Sequence, residues 1–129
     1  MSPFWVDSLR HIRDEAEYLI GQTEGLSRLE FLEDGTLKRA FVRSLEIIGE
    51  ATKKLPVEVR DEYASVDWRA MAGMRDRLIH AYFGVDYDIV WDVVANKVPQ
   101  LRFVVQQIIL DAEKEPFETD QVISSEEPE

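Results

Sequence analysis

The most informative part of the chain is residues 68–82, which read Trp68-Arg69-Ala70-Met71-Ala72-Gly73-Met74-Arg75-Asp76-Arg77-Leu78-Ile79-His80-Ala81-Tyr82. Apolar side chains recur here at steps of three and four residues, the period of one face of an α-helix. Asp67 stands where a helix cap is expected, and Gly84 follows the segment as a breaker. The spacing therefore predicts one continuous helix from Asp67 to Tyr82.

The same helical period extends over most of the chain. It predicts a first helix that begins at Ser2-Pro3 and ends near Gly21, a short helix near residues 27–32, and a long helix over about residues 36–55. A short helix follows over residues 56–63, and Asp86 caps a last long element that Pro99 should kink or split. No internal repeat and no useful strand-like alternation is present. We therefore predict an all-α, up-and-down bundle of about four to six helices.

Size and composition suit a single intracellular domain. The chain has 129 residues, of which 45% are apolar, enough for a hydrophobic core. It contains no cysteine, which removes disulfides and thiolate nucleophiles from consideration. Its N-terminus does not look like a signal peptide, and no apolar run is long enough to cross a bilayer. We expect a cytoplasmic protein with no membrane partner.

The net charge of −11 is unevenly distributed. Residues 111–129 hold eight acids and one base, so they carry −7 and leave −4 for residues 1–110. The acidic, Ser- and Pro-containing stretch from Glu115 predicts a disordered tail, so we divide the chain into a helical domain at residues 1–114 and a tail at residues 115–129. Residues 38–77 carry +2, which permits a local basic surface but argues against a long groove for duplex DNA.

One cluster of residues combines groups suited to chemistry. On the predicted helix, Asp76 lies one turn from His80, and Arg75 shares a face with Tyr82. A carboxylate beside an imidazole can fix its tautomer, and Arg75 supplies a planar cation suited to phosphate. The same residues also fit an ordinary surface helix with a ladder of ion pairs, and spacing alone does not decide between the two interpretations. Sequence motifs for zinc proteases, phosphate-binding loops, dinucleotide folds and serine hydrolases are absent.

The cluster resembles a known family motif. Arg75, four further residues, His80, Ala81 and Tyr82 match R-x4-H-x-Y, the motif of the HepT branch of the HEPN superfamily, and Asp76 matches the polar residue that follows the arginine. The flanks are similar as well: residues 43–51 resemble the second long helix of the family, residues 67–74 its lead-in, and residues 85–91 its continuation. The resemblance covers roughly residues 5–110, and the motif together with its flanks is specific.

The resemblance implies a homodimer of helical bundles in which two Arg/His motifs face each other, acting as a metal-independent endoribonuclease without a cofactor. One His80 would take the proton of the ribose 2′-OH, a second would protonate the leaving oxygen, and Arg75 would stabilise the phosphoryl charge, with Asp76 orienting His80. The resemblance further implies the toxin of a type VII HEPN/MNT toxin–antitoxin pair. A minimal nucleotidyltransferase antitoxin would neutralise it by transferring AMP to Tyr82.

Two other interpretations stay open at this point. The chain could be a non-catalytic subunit that holds a nucleotide or substrate for a separate nucleotidyltransferase, with Arg75 and His80 as phosphate ligands. It could also be a purely structural dimeric bundle, in which both residues are replaceable at little cost to any activity.

The remaining polar candidates have simple structural explanations. Arg69 and Arg77 fit contacts to RNA phosphates and ordinary surface charges equally well. His11 is expected at the surface. Glu46 and Glu50 lie one turn apart and could face the site, but pairing with a neighbouring base (Arg39, Arg43 or Lys53) is the simpler explanation. The tryptophans lie on apolar stripes and are expected in the core; they are Trp5, Trp68 and Trp91.

Overall fold

The structure is a computed structural model that describes residues 3–80 and 84–126, without the side chains of residue 80 and of residues 115–126. Within this part of the chain lie eight helices and one pair of two-residue strands. The elements are α1 (Phe4–Thr23), α2 (Arg28–Glu33), α3 (Gly35–Thr52), α4 (Val57–Glu62), α5 (Trp68–Ala72), α6 (Met74–Leu78), β1 (Ile79–His80), β2 (Gly84–Val85), α7 (Tyr87–Asn96) and α8 (Val98–Glu126). The predicted all-α helical bundle is therefore confirmed, with the small strand pair as an addition.

Three long helices form the centre of the bundle, with α1 packed against both α3 and α8. Arg10 lies 3.1 Å from Glu113, and Arg102 lies 3.0 Å from Glu17, so α1 and α8 run in opposite directions. The hydrogen bond from Arg10 to Glu113 raises the pKa of Arg10. The predicted apolar stripes form one core, whose largest fully buried side chains are Phe31, Phe41, Leu9, Ile12, Leu19, Leu45, Ile48, Met74, Leu78, Leu101, Ile108 and Ile109.

Short polar side chains begin several helices where the sequence predicts them. Ser27 Oγ accepts the backbone N–H of Glu30 at 3.1 Å, and the Glu30 carboxylate accepts the N–H of Ser27 at 2.8 Å. This reciprocal pair satisfies two donors that the first turn of α2 cannot use. Asp67 caps α5 and Asp86 caps α7, as predicted. Asp34 also caps α3.

The predicted continuous helix from Asp67 to Tyr82 is wrong. The backbone leaves helical geometry at Gly73, where φ is −90° and ψ is 14°, and this break separates α5 from α6. Helix α6 then ends at Leu78, because the next residue, Ile79, is extended with φ −107° and ψ 114°. Tyr82 lies outside the described residues. The helical period of the apolar side chains was correct for each half but did not reveal the break.

A two-residue strand pair replaces the last turn of that predicted helix. Strand β1 pairs antiparallel with β2, and the N–H of Asp86 donates to the carbonyl oxygen of Leu78 at 2.9 Å. Gly84 has a φ of +78°, a conformation that glycine adopts at no steric cost. These backbone hydrogen bonds outweigh the modest helix propensity of the β-branched Ile79, so residues 79–80 form a strand instead of continuing α6.

The C-terminal part has the predicted helix break. Helix α7 ends at Asn96 and α8 begins at Val98, so the expected split near Pro99 is confirmed. The backbone of residues 115–126 continues α8, and the division of the chain at Glu115 stays a prediction. Among the described residues, the structure contains no helix that could span a membrane.

Candidate active site

The candidate site lies where α6 meets α3. Arg75 Nε lies 3.5 Å from Oε2 of Glu46, and Arg43 Nη1 lies 3.8 Å from the other carboxylate oxygen. The Glu46 side chain is 21% exposed, whereas that of Arg75 is 66% exposed. Glu46 therefore holds the guanidinium at its base. Most of the Arg75 side chain faces solvent.

The role of Glu46 was only half predicted. Its expected pairing with a neighbouring base is confirmed by Arg43, and Glu50 pairs with Lys53 at 3.1 Å. The contact between Glu46 and Arg75 agrees with the alternative that Glu46 faces the site, which the sequence left open because no local pattern indicates which face of α6 packs on α3. Residues Arg43 and Glu46 lie in the segment that resembles the second long helix of the family.

The three arginines of this region point to different parts of the surface. Arg75 contacts α3, Arg77 lines a cavity between α5 and α8, and Arg69 lines another cavity together with residues of α4. All three are exposed. Two residues along a helix correspond to about 200° of rotation, which explains why Arg75 and Arg77 diverge. The structure thus separates the candidate RNA contacts instead of clustering them.

His80 follows α6 directly, but on a strand. Its backbone is paired with Gly84 in the β1–β2 ladder, and its side chain lies outside the described part of the structure. The prediction that Asp76 and His80 are neighbours one helical turn apart is therefore wrong, because α6 ends before His80. Asp76 is exposed, and its side chain has no hydrogen bond or ion pair within the described residues. Arg75 is the second residue of α6, and His80 stands two residues beyond the end of that helix, on β1.

Gly49 sets the spacing between α3 and the junction of α5 with α6. A Cβ atom at Gly49 would lie 3.0 Å from the carbonyl oxygen of Met71 and 3.6 Å from Cβ of Met74. Because glycine has no side chain, α3 can approach this backbone closely. The close approach fixes the position of α6, and with it the contact between Arg75 and Glu46.

We expect Gly49→Ala to lower the free energy of unfolding by about 1–3 kcal/mol, the usual cost of overpacking a close contact. Gly21→Ala is a matched control, because a Cβ there meets nothing within 4 Å on the exposed surface of α1. That control should raise the free energy of unfolding by about 0.5–1 kcal/mol. Urea denaturation measures both changes, and equal effects of the two substitutions would contradict the role assigned to Gly49.

The other residues singled out from the sequence have structural roles. Trp68 is buried and its indole donates to the carbonyl of Tyr63 at 2.9 Å, while Trp91 and the half-buried Trp5 pack against the core, as predicted. His11 is exposed, also as predicted, and lines a small cavity beside Arg43. Among the side chains that the structure describes, no three or more of His, Cys, Asp and Glu are grouped to hold a metal ion.

Comparison with known proteins identifies the family. Residues 9–108 match the HepT-like family, described as ribonuclease HepT-like. A relative from Caldanaerobacter subterraneus subsp. tengcongensis, named as a candidate RNase, is 50% identical over 101 residues, covering 78% of this chain and 90% of the relative. Another candidate RNase, from Methanocaldococcus jannaschii, is 44% identical over 112 residues, covering 87% and 89%. A "probable ribonuclease HepT" from Thermococcus cleftensis is 41% identical over 96 residues, covering 74% and 87%. No solved structure matches the chain. The protein belongs to the HepT-like ribonuclease family.

Proposed function

We propose that this protein is an endoribonuclease that cleaves RNA without a metal ion, at a site completed by two copies of the chain, and that it serves as the toxin of a type VII toxin–antitoxin pair. The observation that carries the proposal is the exposed guanidinium of Arg75 on α6, paired through Nε with Glu46, in a motif whose His80 lies two residues beyond the end of that helix. Membership of a ribonuclease family supports the same conclusion.

Cleavage by this route needs a base and an acid at one phosphodiester. His80 of one copy removes the proton of the ribose 2′-OH, and the 2′ oxygen attacks the phosphorus. The bond from phosphorus to the 5′ oxygen breaks, and His80 of the other copy donates a proton to that oxygen. The products are a 2′,3′-cyclic phosphate and a 5′-hydroxyl. Each chain has two histidines, and the other one, His11, lies on α1, so two copies of His80 supply both roles most simply.

Arg75 suits the charge that builds on the phosphoryl oxygens. A guanidinium carries five N–H donors in a planar fork, and the contact with Glu46 is made by Nε while 66% of the Arg75 side chain stays exposed. The terminal amino groups can therefore donate to two phosphoryl oxygens at once. Donors held in place before the reaction stabilise the transition state most effectively. Glu46 is then a positioning residue that acts through Arg75.

Glu46→Gln is expected to lower kcat about tenfold with a smaller change in KM, because the anchored guanidinium loses its charged partner. The free energy of unfolding should change by less than about 1 kcal/mol, since Arg75 is largely exposed. Glu50→Gln, which removes the partner of Lys53 one turn along α3, is the control and should leave kcat unchanged. An unaltered kcat in Glu46→Gln would argue against the positioning role.

Regulation by an antitoxin is part of the proposal. Tyr82 is the proposed acceptor of AMP from a minimal nucleotidyltransferase, because it occupies the tyrosine position of R-x4-H-x-Y. A phosphodiester attached two residues after His80 would place negative charge and bulk beside the path of the RNA phosphates. Asp76 stays a candidate for orienting His80, although the two residues do not lie on the same helix.

A metal-free cleavage assay tests the proposed function. Labelled RNA of mixed sequence is incubated with the protein in excess chelator, after mass spectrometry has established that Tyr82 is unmodified. We expect fragments that end in 2′,3′-cyclic phosphate. An RNA pool left intact by the unmodified, dimeric protein would contradict the ribonuclease proposal. That result would favour a non-catalytic subunit of a nucleotidyltransferase.

A further inference from the structure

A recess with basic side chains in its lining lies on the side of α6 opposite to Arg75. It is a cavity of about 300 Å³ between α5, α6 and the start of α8. Its walls include the cationic side chains of Arg77 and Lys97 and the polar side chains of Ser65, Asp67 and Gln100. Its apolar lining is formed by Val66, Ala70, Met71 and Leu101. The recess is thus bounded by charge at its rim and by the hydrophobic core beneath.

Neither cation of this cavity, Arg77 or Lys97, has an ion-pair partner among the residues that the structure describes. The one carboxylate in the lining, Asp67, already accepts the backbone N–H of Ala70 at 3.0 Å as the cap of α5. Seven of the fifteen basic side chains of the chain pair with carboxylates, so an unpaired cation is not unusual by itself. The relevant feature here is that two unpaired cations line the same cavity.

In a chain of net charge −11, two unpaired cations at one recess favour an anionic ligand. Lys97 directly precedes α8, whose first turn offers few free backbone donors, because Pro99 has no N–H and the N–H of Leu101 donates to the carbonyl oxygen of Lys97. Gln100 is tied to the opposite wall, with its amide nitrogen 3.5 Å from the carbonyl of Ser65. A phosphate would therefore be bound by the planar guanidinium of Arg77 and the ammonium group of Lys97.

We propose that this cavity binds a phosphate group of the RNA strand, one that neighbours the phosphate held by Arg75. The inference rests on the proposed ribonuclease function and names part of its substrate path. Arg75 and Arg77 lie two residues apart on α6 and face opposite sides, so a strand that contacts both must pass over this five-residue helix. Arg77 and Lys97 neutralise the bound phosphate and add affinity without reading the base.

The test measures RNA binding in the absence of cleavage. The full chain carrying His80→Ala is titrated with a labelled, mixed-sequence single-stranded RNA in chelator, at several salt concentrations, using fluorescence anisotropy. Adding Arg77→Gln or Lys97→Gln should weaken binding roughly tenfold, the scale of one charge-assisted contact. Each substitution should also reduce the slope of log affinity against log salt by about 0.7. Both side chains are exposed, so the fold should tolerate their replacement.

Lys53→Gln is the matched control, because it removes the same charge from a side chain that is already paired with Glu50. It should leave the affinity and the salt slope unchanged. If the parent binds RNA and both Arg77→Gln and Lys97→Gln bind equally well, the cavity assignment is overturned while the proposed function stands. A wild-type protein that cleaves nothing and binds nothing would overturn both.

Inorganic phosphate distinguishes an RNA contact from a site for a free anion. A titration with phosphate alone should compete for RNA only at concentrations far above those of the RNA, because a single ion lacks the remaining contacts of the strand. Tight binding of free phosphate that Arg77→Gln abolishes, with RNA affinity unaffected, would assign the cavity to a free anion and contradict the proposal.

Discussion

His80→Ala is expected to lower the rate of metal-free RNA cleavage by about 10²–10⁴-fold, the range over which a positioned acid or base accelerates proton transfer. The loss should be this large because the substitution removes both proposed roles, the base that activates the 2′-OH and the acid that protonates the leaving oxygen. The free energy of unfolding should change little. His80 follows α6 on a two-residue strand whose pairing uses only backbone groups.

The control for this prediction is His11→Ala, which removes the other histidine of the chain from an exposed position on α1. It should cleave RNA at the wild-type rate. Full activity in a folded His80→Ala protein would rule out the mechanism. A large loss in His11→Ala alone would transfer the acid or base role to α1, where His11 shares a cavity with Arg43.

Attachment of AMP to Tyr82 is expected to produce a loss of similar size. The modification would add a phosphodiester two residues after His80, so charge repulsion and bulk would act together against the RNA phosphate that Arg75 is proposed to bind. Incubation with ATP and the nucleotidyltransferase partner should abolish cleavage in proportion to the fraction of protein that mass spectrometry finds modified on Tyr82.

Tyr82→Phe separates modification from chemistry. This variant should keep most of its ribonuclease activity, because the phenol oxygen takes no part in the proposed proton transfers. It should also stay active in the presence of the nucleotidyltransferase and ATP. Neutralisation of Tyr82→Phe as complete as that of the wild type would show that the antitoxin acts by another route.

The parts of the fold that could be predicted from the sequence are those that depend on neighbours along the chain. The cap of α5 at Asp67 and the cap of α7 at Asp86 are local side-chain to backbone contacts, and both were predicted correctly. The split at Pro99 follows from the missing N–H of proline and was also predicted. The buried faces of α1, α3 and α8 could also be predicted, because apolar side chains recur along each helix at steps of three and four residues.

The parts that could not be predicted depend on contacts between distant segments. The end of α6 at Leu78 is fixed by the strand pair and by the hydrogen bond from Asp86, which nothing in the 68–82 pattern indicates. The contact of Arg75 with Glu46 requires α3 to pack on α6, and the close approach at Gly49 becomes evident only in three dimensions.

Lys97 carried no sequence signal at all. It is a single lysine in a short connection between α7 and α8, and only the fold brings it to the same cavity as Arg77. The motif residues themselves were found because their type and order match a family pattern. The side chains that contact the motif residues could not be predicted from the motif and are seen only in the structure.

Cleavage by a mixed dimer tests the central claim most directly. A heterodimer of one wild-type and one His80→Ala chain, isolated through two different affinity tags, is assayed on mixed-sequence RNA in chelator beside the wild-type homodimer. If two copies of His80 complete one site, the heterodimer lacks either the acid or the base, and its rate should fall below about 1% of the wild type. A heterodimer that keeps about half of the wild-type activity, as two independent sites would, contradicts the account.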